Sequence, residues 1–512
     1  MFILMIRDTY FKNFLRLVLI FAAFNHMGLN AYGQIHPANG DTVNYRMVGF
    51  KVPEKKGVTD YELEVWQVFI TDAGSKIEEV FFKNESKTST ILTMLPSFCK
   101  NYQWRVKYKK KGIAVDSTQW YNFSVTCSRY TDTTKNRLRV INNKLGNQDF
   151  YIFIDATRTL NDKYGNPIWY LKDIPGILDD ATGVRDLEMT PYNTITFLTR
   201  THACEIDYDG NLLWMAPTKG SVSGEPTENY HHEFTRLNNG NYMVASSKIM
   251  LREVPPNVPS PTGNRNAIIR DGKLFRKIPF GTIIEYDSSG KVVWSWMSGE
   301  HLTDEDMFTP IRKAIPYSTH MNAFYFDERN KVIYTSHRDI NRIMKIAYPS
   351  GHVLANYGQA YPPTQRVYGD GFFYGQHTCR LSRNGELYLF NNNNDPLDSS
   401  AQKISSVMFL KEPDVNNDSL IKTWEFHCDI DSLFNPFTSG GGGVLELTTG
   451  DILVCTGSGH NFIVSKSKKI LWDAALEFRN SEGKWEVSKS GYRNSAIESK
   501  EQLYELIFSS NR

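Results

Sequence analysis

The sequence predicts an all-β protein in two parts, a six-bladed β-propeller preceded by a small β-sandwich. Three observations carry that prediction. Aromatic residues make up 13% of the chain, Tyr, Phe, Asn and Gly are abundant, and long amphipathic helical patterns are scarce, a balance that favours strands. At 512 residues the chain exceeds one ordinary core, so two or three are expected. The third observation is a turn-and-strand ending that recurs six times. It reads Gly165-Asn166-Pro167-Ile168-Trp169, Asp209-Gly210-Asn211-Leu212-Leu213-Trp214, Ser289-Gly290-Lys291-Val292-Val293-Trp294, Ser350 to Tyr357 with Tyr in the Trp slot, Asp418 to Trp424, and Lys468 to Trp472. Six four-stranded units at a period of roughly 45–65 residues mean six blades.

In chain order, Arg7, Lys12 and Arg16 precede the apolar run Leu17 to Phe24, and Ala31-Tyr32-Gly33 precedes Gln34. A positive flank, a short apolar core and small residues at −3 and −1 spell a secretory signal peptide over residues 1–33. An uncleaved anchor is the alternative. No Cys follows the apolar run, which disfavours a lipoprotein, and no later run has the length of a membrane helix. The expected location is therefore exported, periplasmic or secreted, with no stable membrane insertion after cleavage.

Residues 40–128 read as a separate β-sandwich. Tyr61 to Val68 alternates, Tyr102-Gln103-Trp104-Arg105-Val106-Lys107-Tyr108 alternates again, and Trp120 to Val125 closes the unit. The Tyr-x-Trp-x-Val strand followed by Trp-x-x-Phe resembles a fibronectin-type-III module, a spacer or binding unit. Six scattered cysteines carry no CxxC pattern, so they signal neither zinc nor a redox motif. In an exported protein Cys99 and Cys127 could staple the sandwich, with free thiols the alternative. Ser128 to Lys135 is a polar linker.

The repeats run over 136–475. The largest excursion, Lys248 to Lys277, contains Pro255, Pro256, Pro259 and Pro261 and reads as a surface loop. In the segment 476–512, Ser495 to Phe508 has helical spacing with a Ser cap, and the helix is expected to pack on the propeller.

The inner strands carry the chemistry. His232 and His377 each lie eight positions before a turn glycine, Gly240 and Gly385, and His320 opens the equivalent strand of the unit between them. Equivalent positions of neighbouring blades converge near the axis. Asn322 follows His320 by two, which alternation puts on the same face, and Arg338 ends the next strand. Glu233 points to the opposite face. The expected cluster is three imidazoles, an amide and a guanidinium. Imidazole is nucleophile, base or metal ligand near neutral pH, and guanidinium and amide groups fit a sulfuryl or phosphoryl group. With no carboxylate in the cluster, glycoside hydrolysis and hard-cation sites are disfavoured. A three-histidine metal site is the sharper competitor, although Arg338 would repel a cation. His202, His231 and His337 are neighbours whose side chains could face either way, and they are read as supporting or structural rather than catalytic. With 58 basic and 56 acidic residues the chain is close to neutral, which argues against a nucleic-acid binder.

At these residues the chain resembles the arylsulfate sulfotransferase family of exported bacterial enzymes. The resemblance rests on His320-x-Asn322 with Arg338 eighteen positions on, on Gln376-His377-Thr378, and on His232 eight before its turn. It covers most of 136–475. Family members are six-bladed propellers that move a sulfuryl group from a phenolic sulfate ester to another phenol without a nucleotide donor. The resemblance implies that His377 is the nucleophile and becomes transiently sulfated. It implies that His320, Asn322 and Arg338 hold the sulfuryl oxygens and that His232 is acid or base at the phenolic oxygen. The implied partners are an aryl sulfate donor and a phenol acceptor, with no cofactor and no metal; oligomeric state is left open. Thr456 is a further candidate on the sulfate side. A non-catalytic propeller that binds a glycan or protein at its channel face is the alternative reading, and the histidine–arginine cluster is the feature a pure binder has no need to build.

Overall fold

A computed structural model of the chain describes residues 35–70, 76–256, 267–308, 318–359, 367–369, 371–395, 403–431, 433–488 and 493–509. The signal peptide expected over 1–33 lies outside the described residues. The chain is nearly all β, and among the described residues no helix is long and apolar enough to cross a membrane.

The N-terminal strands form two sheets. The larger runs in the order Asp41–Val43, Tyr121–Val125, Lys100–Lys110, Asp60–Ile70, Lys76–Ser86, with Ile113–Ser117 on Lys100–Lys110; Met47–Lys51 pairs with Thr90–Met94 in the other. The alternation expected over Tyr102 to Tyr108 buries Tyr102, Trp104, Val106 and Tyr108, and Trp104 meets Phe50 of the second sheet edge-on at 5.0 Å. Cys99 and Cys127 form a disulfide, and Cys204, Cys379, Cys428 and Cys455 are free and buried.

From Tyr151 onward, six antiparallel meander sheets follow one another among the described residues. Their first strands include Arg185–Met189, Phe234–Arg236, Met321–Asp327, His377–Leu381 and Gly443–Glu446 in the second to sixth sheets. The first sheet is different. Its edge partner to Tyr151–Ile154 is Ala496–Ile497, supplied from the far end of the chain. Successive sheets share cores, and the sixth packs back on the first through Ile152, Ile154, Leu453, Ile463 and Trp472.

The recurrent tryptophans explain why the repeats are legible. Four of them donate the indole N–H to a backbone carbonyl of the next sheet's outer turn: Trp169 to Tyr208, Trp294 to Pro349, Trp424 to Lys466, and Trp472 of the sixth sheet to Lys163 of the first. The first three of these turns are fixed by an aspartate, Asp162, Asp207 and Asp287. Asp287 accepts from the N–H groups of Ser289 and Lys291, and Gly290 takes φ +83°, which a side chain would resist.

Two expectations change. The excursion Lys248 to Lys277 is largely strand, because Tyr242–Glu253 and Lys273–Tyr286 pair without interruption from Tyr242↔Tyr286 to Glu253↔Phe275. Alternating β-branched and long side chains sustain that ladder; Pro259 and Pro261 lie outside the described residues. The C-terminal helix covers Lys500–Ser509, with strand rather than helix at Ala496–Ile497. It docks on the N-terminal sheets, where Ile507 and Phe508 cover Gly49 so closely that a Cβ there would fall 2.6 Å from Ile507. Its far end bonds back to the second sheet, Ser509 to the Asn193 carbonyl.

Candidate active site

The turn after each first strand sets the register of the residues before it. In the third sheet Gly240 N–H bonds to Leu237 and Leu237 N–H to Asn241; in the fifth, Gly385 bonds to Ser382 and Ser382 to Glu386. Counting back eight reaches His232 and His377. His320 arrives by a different route, through a longer turn and a bulge between Met321 and Ala323. Alternation alone does not aim these side chains. His232, His320 and Thr378 have φ of +68°, +46° and +62°, left-handed conformations that cost of order 1–3 kcal/mol each outside glycine and that concentrate at functional sites. Glu233, next to His232, turns to the opposite side as expected, toward Arg380 and Arg493.

His377 is buried, and both its ring nitrogens are engaged. Nδ1 lies 2.6 Å from Asn392 Oδ1, and Nε2 lies 3.1 Å from the Gly441 backbone nitrogen. Asn392 in turn donates Nδ2 to the carbonyls of Thr438 at 2.8 Å and Gly441 at 3.0 Å. Those two acceptors fix the amide orientation, so Oδ1 faces the imidazole and His377 must carry its proton on Nδ1. Nε2 therefore holds a lone pair. Burial pushes the His377 pKa down to about 3; the bond to Asn392 opposes that shift, and the charges of Arg338, His320 and Arg493 add to it.

His232 and His320 stand edge to face with ring centroids 5.1 Å apart. His232 Nδ1 lies 2.9 Å from His231 Nδ1, and His231 Nε2 lies 2.6 Å from Ser247 Oγ. One imidazole of the pair donates and the other accepts, so the tautomer of His231 sets that of His232. Burial holds His232 well below the ordinary histidine value, helped by His231, His320 and Arg185; burial also brings His231 down to about 4. His320 is lowered by burial, against the pull of Asp339. His231 thus supports His232. His337 is buried against Thr335, and His202 bonds the hydroxyl of Thr201.

Arg338 lies within electrostatic reach of both His320 and His377, and donates Nη2 to the Ser439 carbonyl at 2.8 Å. A carboxylate was not expected in this cluster, yet Asp339 lies 3.7 Å from Arg338. Asn322 is fully buried and donates Nδ2 to the Gln376 carbonyl at 2.8 Å, one residue before His377. A bulge between Met321 and Ala323 interrupts the simple alternation there. Thr456 is buried, and its carbonyl accepts from the Thr438 hydroxyl, which ties it to the segment over His377. Among the described residues no three His, Cys, Asp or Glu side chains are placed to hold a metal ion.

Three participants escaped the sequence reading. Asn392 and Gly441 come from loops with no repeat signal. Arg185 had one: it precedes Asn193 by eight, and Asn193 (φ +58°) stands where Gly240 and Gly385 stand. Arg185 is thus the second sheet's counterpart of His232 and His377. It lines, with His231, His232 and His320, a cavity of about 640 Å³. Such a set of neutral imidazoles and guanidinium groups can attack, deprotonate and bind an anionic group in one place.

The family model for arylsulfotransferases (ASST) matches residues 124–493. No curated protein matches the chain. Among solved structures, a protein of unknown function from Bacteroides caccae is similar at 12% identity and a TM-score of 0.39, covering 68% of this chain and 98% of that one. The periplasmic gluconolactonase of Pseudomonas aeruginosa aligns at 11% identity and a TM-score of 0.34 over 68% of this chain and 99% of its own. Likeness at this level says nothing about activity.

Proposed function

The chain belongs to the arylsulfotransferase family, and we propose that it moves a sulfuryl group from a phenolic sulfate ester to a phenol through a covalent adduct on His377. Family membership supports aryl sulfotransferase activity in general. The observation that carries the finer reading is the His377–Asn392 pair, which leaves Nε2 as a buried, unprotonated nitrogen among cationic groups.

The transfer takes two displacements. The Nε2 lone pair attacks sulfur, an N–S bond forms, the S–O bond to the aryl group breaks, and phenolate leaves with its electron pair. An acceptor phenol then gives its proton to neutral His232, its oxygen attacks sulfur, and the N–S pair returns to Nε2. The proton on His232 protonates the next leaving phenolate or passes to solvent. Arg338 and His320 hold the sulfuryl oxygens. Asn322 secures the backbone before His377, and is the residue from which the family resemblance draws a further sulfuryl contact. The Gly441 N–H now on Nε2 has to yield when sulfur arrives; four consecutive glycines, Gly440 to Gly443, give that segment the freedom to move.

In this reading the six sheets are the blades of a β-propeller, with their first strands around its channel, and residues 40–128 form a fibronectin-type-III-like sandwich. The indole bond from Trp472 to Lys163 supports ring closure between the sixth and first sheets. A signal peptide over residues 1–33 would direct export before it is removed, leaving the protein periplasmic or secreted. The partners are an aryl sulfate and a phenol.

The test is direct. Purified protein is incubated with a chromogenic phenyl sulfate and a phenol acceptor, without nucleotide. Acceptor-dependent release is expected, together with a sulfuryl adduct on the His377 peptide when donor is given alone. Full transfer by His377→Ala would overturn the proposal.

A further inference from the structure

The cavity beside the histidines carries more positive charge than one sulfuryl group explains. Arg185 and Arg200 both line it, and among the described residues no carboxylate does. Arg185 is close enough to disfavour protonation of His231, His232 and His320. Arg200 follows Thr199 in the loop between the second and third strands of the second sheet; it is exposed and pairs with no carboxylate among the described residues. Leu198, Met321 and Pro279 give the same cavity apolar walls. Arg338, which faces His377, does not line it. His320, which lines the cavity, is within electrostatic reach of Arg338 as well as of Arg185, so it stands between two cationic centres.

A cavity of about 640 Å³ has room for an aryl ring, and a ring that enters it past His320, the neighbour of Arg338 and His377, turns its far edge toward Arg185 and Arg200. Resting on the sulfotransferase reading above, we propose that Arg185 and Arg200 form a second anion subsite, which selects aryl sulfates and phenols bearing a further acidic substituent on the ring. Guanidinium groups meet a carboxylate or a second sulfate ester with paired, charge-assisted hydrogen bonds. Neutral phenols leave both cations without a partner from the substrate.

The experiment compares phenyl sulfate with 4-carboxyphenyl sulfate as donors, in the wild type and in Arg185→Met, Arg200→Met and Arg200→Lys. The wild type should favour the carboxylated donor in kcat/KM by roughly ten- to hundredfold, the range that hydrogen bonds between charged groups supply. Arg200→Met should pull that ratio toward one, and Arg200→Lys should keep part of it. A wild-type ratio near one would overturn the proposal. So would a ratio that both methionine variants leave unchanged, or equal losses on both donors, since the arginines would then serve the shared sulfuryl or phenolic oxygen. Binding of 4-hydroxybenzoate against phenol, read by calorimetry, separates the two readings. If no donor turns over, weaker 4-hydroxybenzoate binding in Arg200→Met still supports the subsite while the transfer reading falls. Equal binding of the two ligands removes the subsite as well.

Discussion

Asn392 holds His377 in a single tautomer. Its amide N–H groups are spent on the carbonyls of Thr438 and Gly441, so only its oxygen can face Nδ1, 2.6 Å away. A neighbour that fixes which nitrogen of a histidine is bare controls whether that nitrogen can attack.

Asn392→Ala should therefore slow transfer by on the order of 10²-fold, the lower end of what one positioned acid–base group contributes. The loss should fall on kcat, with KM for the donor little changed, because Asn392 does not line the cavity. Asn392→Asp keeps an acceptor for Nδ1 and adds a negative charge, so it should raise the His377 pKa and move the acid limb of the pH profile upward. A merely structural role for Asn392 would leave that limb in place.

His232 makes a different prediction. Its proton matters in proportion to how badly the departing or attacking oxygen needs one. With 4-nitrophenyl sulfate, whose phenolate leaves unaided, His232→Ala should alter the burst of the first displacement little. With phenol as acceptor the same variant should lose ~10²–10⁴-fold in the second step. Pre-steady-state release followed by acceptor titration reads both. Equal losses in the two steps would place His232 on the sulfuryl group instead.

Burial also shifts the pH range. The His377 pKa is pushed down to about 3 and that of His231 to about 4, with His232 and His320 lowered in the same direction. A lowered pKa keeps the reactive neutral imidazole in place as pH falls. kcat/KM should stay level from pH 7 to near pH 5, where a histidine of ordinary pKa would have lost about thirtyfold of its neutral form. The sign for stability is opposite in consequence. The unfolded chain binds protons at these histidines near pH 6.5 and the folded chain does not, so they make stability fall as pH drops below that value. Circular dichroism at each pH separates the two effects.

Much of the fold was legible because it repeats. Turn glycines, terminal tryptophans and histidines recur at fixed offsets, and each recurrence maps onto one sheet. What does not repeat was hidden. Asn392 and Gly441 act through loops whose conformation only the assembled sheets define. Ala496–Ile497 is too short to announce a strand, and it becomes one because Tyr151–Ile154 offers an open edge. Arg185 was within reach of the counting argument, but Asn193 stands in place of the expected glycine. At His320 and Asn322 a left-handed residue and a bulge interrupt the alternation on which that part of the reading relied.

The returning strand brings the last prediction. Arg493, three residues before Ala496–Ile497, is buried between Asp186 and Glu233: its Nη1 lies 3.2 Å from Asp186 and also meets Glu233, and Nη2 reaches the Asn322 carbonyl at 3.5 Å. Arg380 shares Glu233 at 2.9 Å. Around these two arginines burial raises the pKa of Asp155 and Asp186 and brings Glu188 up to about 7. Carboxylates raised in this way hold protons in the folded state that the unfolded chain releases above about pH 4.5. Their contribution is complete below that pH and is lost as pH rises toward 7. Arg493→Met removes a cation without removing the acids, and breaking a buried pair on one side costs ~3–5 kcal/mol. The remaining carboxylates then need protons more, so the deficit relative to wild type should be smaller at pH 5 than at pH 7.5 in urea unfolding. A deficit independent of pH would mean that Arg493 stabilises by packing alone. Because Arg493 also touches the strand that carries Asn322, loss of transfer activity should accompany the deficit and diminish with it at low pH.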